Sequence, residues 1–121
     1  MLKTAETLKT FFSGFDIPAY AENSLPETLK LPYITYPIIE PEWDEQASYY
    51  CQVWYQKKKL GDLLAKADQI VAAIGEGAVF EQDGGYVAIY PSTPLVQTLT
   101  DDDSQRVYIN LIIRAYHLPG D

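Results

Sequence analysis

The sequence predicts one α+β domain over residues 1–121, with an antiparallel or mixed β-sheet that carries two helices on one face. The predicted elements run helix, strands, helix, strands, without the regular alternation that gives a doubly wound parallel sheet. One helix has a long apolar stripe that needs a sheet to cover it, and two strongly alternating segments provide that sheet. A length of 121 residues is usual for one domain, and no repeat or linker divides the chain.

The N-terminal segment Met1–Gly14 is predicted to be a short amphipathic helix. Its apolar residues recur at the three- and four-residue spacing of one helical face. They are Leu2, Ala5, Leu8, Phe11 and Phe12. The helix is expected to end at Gly14, because glycine readily adopts the left-handed conformation that follows a last helical turn.

Two extended pieces and a loop are predicted between the helix and residue 39. Ile17–Glu22 is expected to be a short extended segment, and Asn23–Leu31 is expected to be a loop. Pro32–Ile39 is rich in β-forming residues, but Pro37 has no N–H group to donate to a strand ladder. This segment is therefore predicted to be either an edge strand or a strand that breaks near Pro37.

The segment Ala47–Gln56 is predicted to be a strand because its side chains alternate between two faces. One face is expected to lie in the core and holds Tyr49, Cys51, Val53 and Tyr55. The other face is polar but includes two large aromatic side chains; it holds Ser48, Tyr50, Gln52, Trp54 and Gln56. Part of this second face is therefore expected to be covered.

The clearest helix is predicted over Lys57–Ile74. Its apolar residues form one stripe with the spacing i, i+3, i+4 and i+7, which is typical of a helix that packs on a sheet. The stripe consists of Leu60, Leu63, Leu64, Ala67, Ile70, Val71 and Ile74. Gly75 and Gly77 follow it and are expected to end the helix.

A β-hairpin is predicted after this helix. Ala78–Gln82 and Tyr86–Tyr90 flank the run Asp83-Gly84-Gly85, whose residue types readily adopt positive φ angles in tight turns. The pair Pro91 and Pro94 is expected to bracket the next turn.

The C-terminal third is predicted to end in a long strand. Leu95–Leu99 is expected to be a short strand and Asp101–Ser104 a polar turn, and Gln105–Leu118 is predicted to be the last strand. The face expected in the core holds Val107, Ile109, Leu111, Ile113 and Ala115. The other face holds Tyr108, Asn110, Ile112, Arg114 and Tyr116.

The charge and the cysteine content exclude several classes of protein. A net charge of −8 repels phosphate backbones, so specific nucleic-acid binding is not expected. No stretch approaches the roughly 20 apolar residues that span a bilayer, so no membrane insertion is expected. With Cys51 as the only cysteine, the chain forms no internal disulfide, which fits a reducing compartment.

The residue types used in catalysis and metal binding are sparse and poorly placed. The only histidine, His117, lies near the C-terminus, and Cys51 lies on the predicted core face. The adjacent acids Asp101–Asp103 lack the alternating pattern of a calcium loop, and those in Glu40–Glu45 are expected to form an exposed acidic loop. The sequence therefore predicts no catalytic residue, no cofactor site and no metal site, and the protein is not expected to be an enzyme.

The remaining signal is the second face of the two long strands. If those strands are neighbours, their outward side chains form an aromatic patch. The candidates for an oligomer interface are Tyr50, Trp54, Tyr108, Ile112 and Tyr116, to which the loop aromatics Trp43 and Tyr20 are expected to add. Two interpretations remain open: the second helix or a loop covers the patch, or the patch is an oligomer interface.

The ordered segments from residue 30 to residue 117 resemble a family of phage proteins. The run LPYITY at Leu31–Tyr36 is followed by the strand YYCQVWY at Tyr49–Tyr55, and then by the amphipathic helix from Leu60 to Ile74. Together with the hairpin and the long last strand, this order resembles the tail terminators of long-tailed bacteriophages and prophages. Related head–tail joining and minor capsid proteins share the pattern.

The resemblance implies a structural role in the virion. Members of this family form rings, typically hexameric, that cap the tail tube and face the head-side connector. The expected partners are therefore further copies of the chain, the tail tube protein and the connector protein. The expected location is the tail or neck of a virion assembled in the bacterial cytoplasm. The family has no catalytic residues to transfer.

The net charge gives a second hypothesis from another class. An acidic protein of this size can act as an inhibitor that mimics DNA or binds a basic host protein. DNA mimics space carboxylates along a surface as phosphates are spaced, whereas the acids of this sequence cluster in predicted loops.

Overall fold

The computed structural model describes residues 3–118 and has the predicted α+β class, with two helices and one six-stranded mixed sheet. The helices are α1 (Lys3–Phe12) and α2 (Leu60–Ile74). The strands are β1 (Ala19–Ala21), β2 (Tyr33–Tyr36), β3 (Gln46–Gln56), β4 (Ala78–Gln82), β5 (Gly85–Thr100) and β6 (Ser104–His117).

The two long strands with alternating side chains lie side by side in the middle of the sheet. The strand order is β1-β2-β3-β6-β5-β4, in which β1 and β2 are parallel and all other neighbours are antiparallel. The pairing of β3 with β6 is unbroken, from Gln46 opposite Arg114 to Gln56 opposite Ser104. The predicted core faces of both strands are buried.

Helix α1 joins the two ends of a curled sheet. It contacts both β1 and β4, the outermost strands, so the sheet bends until both edges reach one helix. Leu8 and Phe12 are fully buried, and the Phe12 ring stacks on Tyr36 at 4.7 Å between centroids. At the other edge of the sheet, α1 is held against β4 by Phe11 and Phe80, whose ring centroids are 5.4 Å apart. The predicted helical face is thus confirmed for the described residues, whereas Leu2 lies outside them.

Helix α2 packs on the same face of the sheet as α1. It contacts β3, β5 and β6, and its buried side chains join the core cluster that contains Phe12. The buried residues are Leu63, Ala67, Ile70 and Ile74. Gly75, with φ of 55°, ends the helix and donates its N–H to the Val71 carbonyl. Both helices therefore lie on one face of the sheet, as predicted.

The helix prediction for Lys57–Ile74 was too long at its start and too broad in its buried face. The helix begins at Leu60, after a turn at Lys57–Lys58 and the N-cap residue Lys59. Leu60 and Leu64 are 44 % and 40 % exposed, because only one side of the apolar stripe faces the sheet.

Two strand predictions need correction. The strand around Pro37 does stop at Tyr36, but it is not at the edge, because β1 pairs with its outer side. The predicted turn at Pro91 and Pro94 and the predicted strand Leu95–Leu99 are both parts of the continuous strand β5. The register of β5 against β6 shifts between Pro91 and Val96, and this irregularity accommodates the prolines.

Candidate interaction surface

The sheet face opposite the two helices, called the outer face below, carries five of the six predicted interface residues. Across the central pair, Tyr50 lies opposite Asn110, and Gln52 lies opposite Tyr108. β3 and β6 are neighbours, which is the condition on which the aromatic patch was predicted, and their outward side chains form one surface. Neither helix covers this face, because the buried residues of both belong to the core cluster on the other side.

Aromatic side chains cross the outer face as a continuous row, called the aromatic band below. The band consists of Tyr20, Tyr33, Trp54, Tyr108 and Tyr50, with Arg106 in its middle. The ring centroids of Tyr20 and Tyr33 are 6.2 Å apart, and Tyr33 stacks on Trp54 at 5.7 Å. Tyr108 and Tyr50 follow with centroids 5.8 Å apart. Offset and edge contacts at these distances are favourable for aromatic rings.

The Arg106 guanidinium connects the two halves of the band. Its central carbon lies 4.6 Å from the Trp54 ring centroid and 5.6 Å from that of Tyr108. Its Nε lies 3.9 Å from a carboxylate oxygen of Asp101, and no acceptor within residues 3–118 forms a hydrogen bond with it. The guanidinium is thus held by two aromatic faces and by the nearby Asp101 carboxylate, and its side chain stays 24 % exposed.

Hydrogen bonds hold the band at the Tyr50 end and at Trp54. The Tyr50 hydroxyl donates to the Glu22 carboxylate at 2.9 Å, and the Gln52 amide donates to the same carboxylate at 3.4 Å. The Trp54 indole N–H donates to the Thr35 hydroxyl at 2.9 Å. Burial, followed by the bond to Glu22, raises the pKa of Tyr50 to about 12. Glu22 therefore covers one corner of the outer face and orients Tyr50.

We expect Tyr50 to keep its phenol proton until the pH approaches about 12, because burial and Glu22 favour the neutral form. In the unfolded chain, the same phenol ionises near its ordinary value of about 10. The unfolded chain then loses the proton first, so this group lowers the free energy of unfolding as the pH rises from about 10 to about 12. Tyrosinate absorbance and urea unfolding at a series of pH values measure both effects.

The variant Glu22→Gln isolates this effect, since burial also raises the pKa of Tyr33, Tyr36 and Tyr55. Removing the carboxylate charge is expected to move the ionisation of Tyr50 to lower pH and to leave the pKa of Tyr33, Tyr36 and Tyr55 in place, because Glu22 does not contribute to theirs. An ionisation curve identical to that of the wild type would contradict the coupling between Glu22 and Tyr50.

The second half of the outer face, towards the end of β6, repeats the combination of aromatic and cationic groups. The Arg114 guanidinium lies 5.0 Å from the Tyr116 ring centroid. The hydroxyls of Tyr116 and Tyr90 form a hydrogen bond of 2.7 Å, which raises the pKa of Tyr90 together with its burial. Ile112, which lies opposite Tyr90, separates this group from the aromatic band. All five predicted residues of β3 and β6 thus lie on the outer face.

Trp43 is not part of this row. It forms a parallel bridge with Ala115, and its ring lies 5.1 Å from the His117 ring, at the end of the sheet where β3 begins. It also lies close to Gly84 and Gly85. Trp43 is 41 % exposed, so it presents a separate aromatic edge within the acidic loop Glu40–Glu45.

A shallow depression of about 310 Å³ lies beside the aromatic band, and it is called the hollow below. Its walls are Tyr50, Gln97, Thr98, Leu99, Tyr108 and Asn110. The Asn110 amide donates to the Gln97 side chain at 2.9 Å and to the Pro94 carbonyl at 2.7 Å, so the floor is held in place. Leu99 is 42 % exposed at the rim. The hollow therefore combines a fixed polar floor with aromatic and aliphatic walls.

The groups considered for catalysis lie apart from the outer face. Cys51 is fully buried on the core face, and this burial raises the pKa of its thiol. Within residues 3–118, no group of three or more His, Cys, Asp or Glu side chains is arranged to hold a metal ion. Neither described helix is long and apolar enough to cross a membrane.

Two residues of the band, Arg106 and Tyr33, were not predicted to lie on the outer face. Arg106 lies within the predicted strand Gln105–Leu118 and on the same side as Tyr108, but it was not included among the residues of the outward face. Tyr33 was recognised as part of a β-rich run, but its face depends on the pairing with Trp54. That pairing is a long-range contact, which no local pattern indicates.

Comparison of the chain with protein-family models and with curated proteins gives no match.

Proposed function

We propose that the protein is a structural assembly protein of a long-tailed phage or prophage, whose copies form a ring that caps the tail tube and joins it to the head-side connector. The observation that carries the proposal is the outer face, on which partly exposed tyrosine, tryptophan and arginine side chains lie without a covering helix. These three residue types are enriched among the residues that dominate binding at protein interfaces.

The resemblance of residues 30–117 to tail terminators supports the virion role. The segments that carry it form β2, β3, α2, the β4–β5 hairpin and β6, in the order of the family pattern. By the same resemblance, the ring has six copies, and the tail tube and connector proteins are its other partners.

The charge distribution favours this role over that of a DNA-mimicking inhibitor. The acidic loop Glu40–Glu45 precedes β3, and the acidic turn Asp101–Asp103 precedes β6, which is antiparallel to it. These two groups are therefore separated by the length of an 11-residue strand, about 35 Å. A DNA mimic needs a continuous row of charges, whereas the outer face between these groups carries Arg106 and Arg114.

We expect the variant Ile112→Lys to prevent assembly, because it places a charge in the centre of the outer face. The wild-type chain is expected to sediment as an oligomer, and the variant is expected to sediment as a monomer at concentrations at least tenfold higher. Leu64→Lys is the matched control, since it makes the same change on the helix side of the sheet, at a residue that is 40 % exposed. Thermal unfolding establishes that both variants fold. A monomeric wild type, or equal assembly of both variants, would contradict the proposal.

A further inference from the structure

We propose that the hollow on the outer face of one copy receives the acidic loop Glu40–Glu45 of the next copy, with the Trp43 side chain as the contact residue. This inference rests on the proposed self-assembly and names the two surfaces that meet.

The first observation is that the hollow suits an aromatic side chain. Its volume of about 310 Å³ is at the lower end of the range for ligand sites, and Tyr50 and Tyr108 provide aromatic walls. Leu99 adds exposed apolar surface at the rim. The part of β5 that carries it has few buried residues. Aromatic side chains that enter such pockets carry much of the binding energy at protein interfaces.

The second observation is that Trp43 is exposed and cannot reach the hollow of its own chain. It lies beside Ala115 and His117 at the start of β3, whereas the hollow lies beside Tyr108, about 20 Å further along β6. The exposed edge of Trp43 is therefore available only to another molecule.

The third observation is charge complementarity between the two surfaces. Arg106 lies against Tyr108, a wall of the hollow; its side chain is 24 % exposed, and a carboxylate oxygen of Asp101 lies 3.9 Å from its Nε. In the acidic loop, Glu40 accepts hydrogen bonds from Thr4, and Asp44 accepts one from the backbone of His117. Glu42 and Glu45 are exposed and form no side-chain hydrogen bond or ion pair in the described part of the chain. These two carboxylates are the ones free to approach arginine.

The contact joins two different surfaces, so each copy uses its hollow on one side and its acidic loop on the other. Such a head-to-tail contact closes into a ring when its rotation closes. A symmetric contact between two outer faces would instead end at a dimer. The proposed contact thus accounts for a ring with one interface type.

The test uses two variants that each impair one surface. Leu99→Lys obstructs the hollow, and Glu42→Lys/Glu45→Lys reverses the free charges of the acidic loop. We expect each variant alone to need at least a tenfold higher concentration to assemble, because its neighbour meets a blocked rim or a like charge. Sedimentation velocity over a concentration series measures this shift.

Mixing the two variants distinguishes the proposed contact from others. The first variant keeps its acidic loop and the second keeps its hollow, so the mixture is expected to form one-to-one pairs and no larger species. The matched controls are Leu64→Lys and Asp68→Lys/Glu76→Lys, which make the same changes at exposed positions on and just after α2, and both are expected to assemble as the wild type does. If the wild type assembles but the two variants assemble equally well, or if mixing restores nothing, the contact is wrong while the proposed function stands. If the wild type remains a monomer, the proposed function fails as well.

Discussion

The variant Gly85→Ala is expected to lose about 3 kcal/mol or more of unfolding free energy, since its new methyl group has no room. A Cβ at this buried position would lie 1.8 Å from the Tyr116 carbonyl oxygen and 2.8 Å from a ring carbon of Trp43. The carbonyl belongs to the backbone of β6, so the methyl group must push two paired strands apart. Urea unfolding monitored by circular dichroism measures the loss.

The control for this variant is Gly61→Ala. Gly61 is an exposed residue of α2, and a Cβ there would meet nothing within 4 Å. Alanine also has a higher helix propensity than glycine, so stability is expected to rise by up to about 1 kcal/mol. An equal loss in both variants would mean that the close approach of β6 to Gly85 is not the cause.

Replacing Phe12 by alanine is expected to cost about 3–5 kcal/mol, which is a large part of the stability of a domain this size. The Phe12 ring is fully buried, stacks on Tyr36 at 4.7 Å and lies 6.5 Å from the Tyr49 ring. It fills the space where α1 meets the curled sheet, so its loss leaves a cavity that the rigid strands do not close. Chemical denaturation at neutral pH measures the effect.

Leu64→Ala is the control for the core variant. Leu64 is also a large apolar residue of a helix, but it is 40 % exposed. Its truncation removes less buried surface than that of Phe12 and introduces the best helix former, so a loss of about 1 kcal/mol or less is expected. A loss of less than about 1 kcal/mol for Phe12→Ala would show that α1 is not an integral part of the core.

Local periodicity was sufficient to predict the two central strands and the faces they bury. Val107, Ile109 and Leu111 alternate with polar or aromatic residues, and a one-residue shift would exchange the two sets. The same alternation placed Tyr50 and Tyr108 on the outward faces of their strands, which form one surface because β3 pairs with β6. For this part of the fold, burial on one side of the sheet dictates the pattern.

Features that depend on long-range contacts were less predictable. Proline at positions 91 and 94 indicated a turn, yet β5 continues, because β4 pairs with β5 only as far as Ile89. Beyond that residue, one edge of β5 has no neighbouring strand within the described chain, and the missing proline N–H groups disturb no ladder on that side. Whether one edge of a strand has a neighbouring strand depends on the arrangement of the whole sheet, which a local sequence pattern does not indicate.

The position of Trp43 was also beyond local patterns. Its acidic surroundings indicated an exposed loop, but its separation from the other aromatic residues follows from the bridge to Ala115 and the contact with Gly85. The sequence therefore predicted the composition of the candidate surface better than its division into a band and a separate tryptophan.

The proposed virion role is tested most directly by inactivating the gene in the genome that carries it and imaging any released phage particles by electron microscopy. The account predicts tails and filled heads that remain separate, and it predicts that the wild-type chain supplied in trans restores joined particles. Ile112→Lys is expected not to restore them, whereas Leu64→Lys does. Complete, infectious particles formed without the protein would contradict the account.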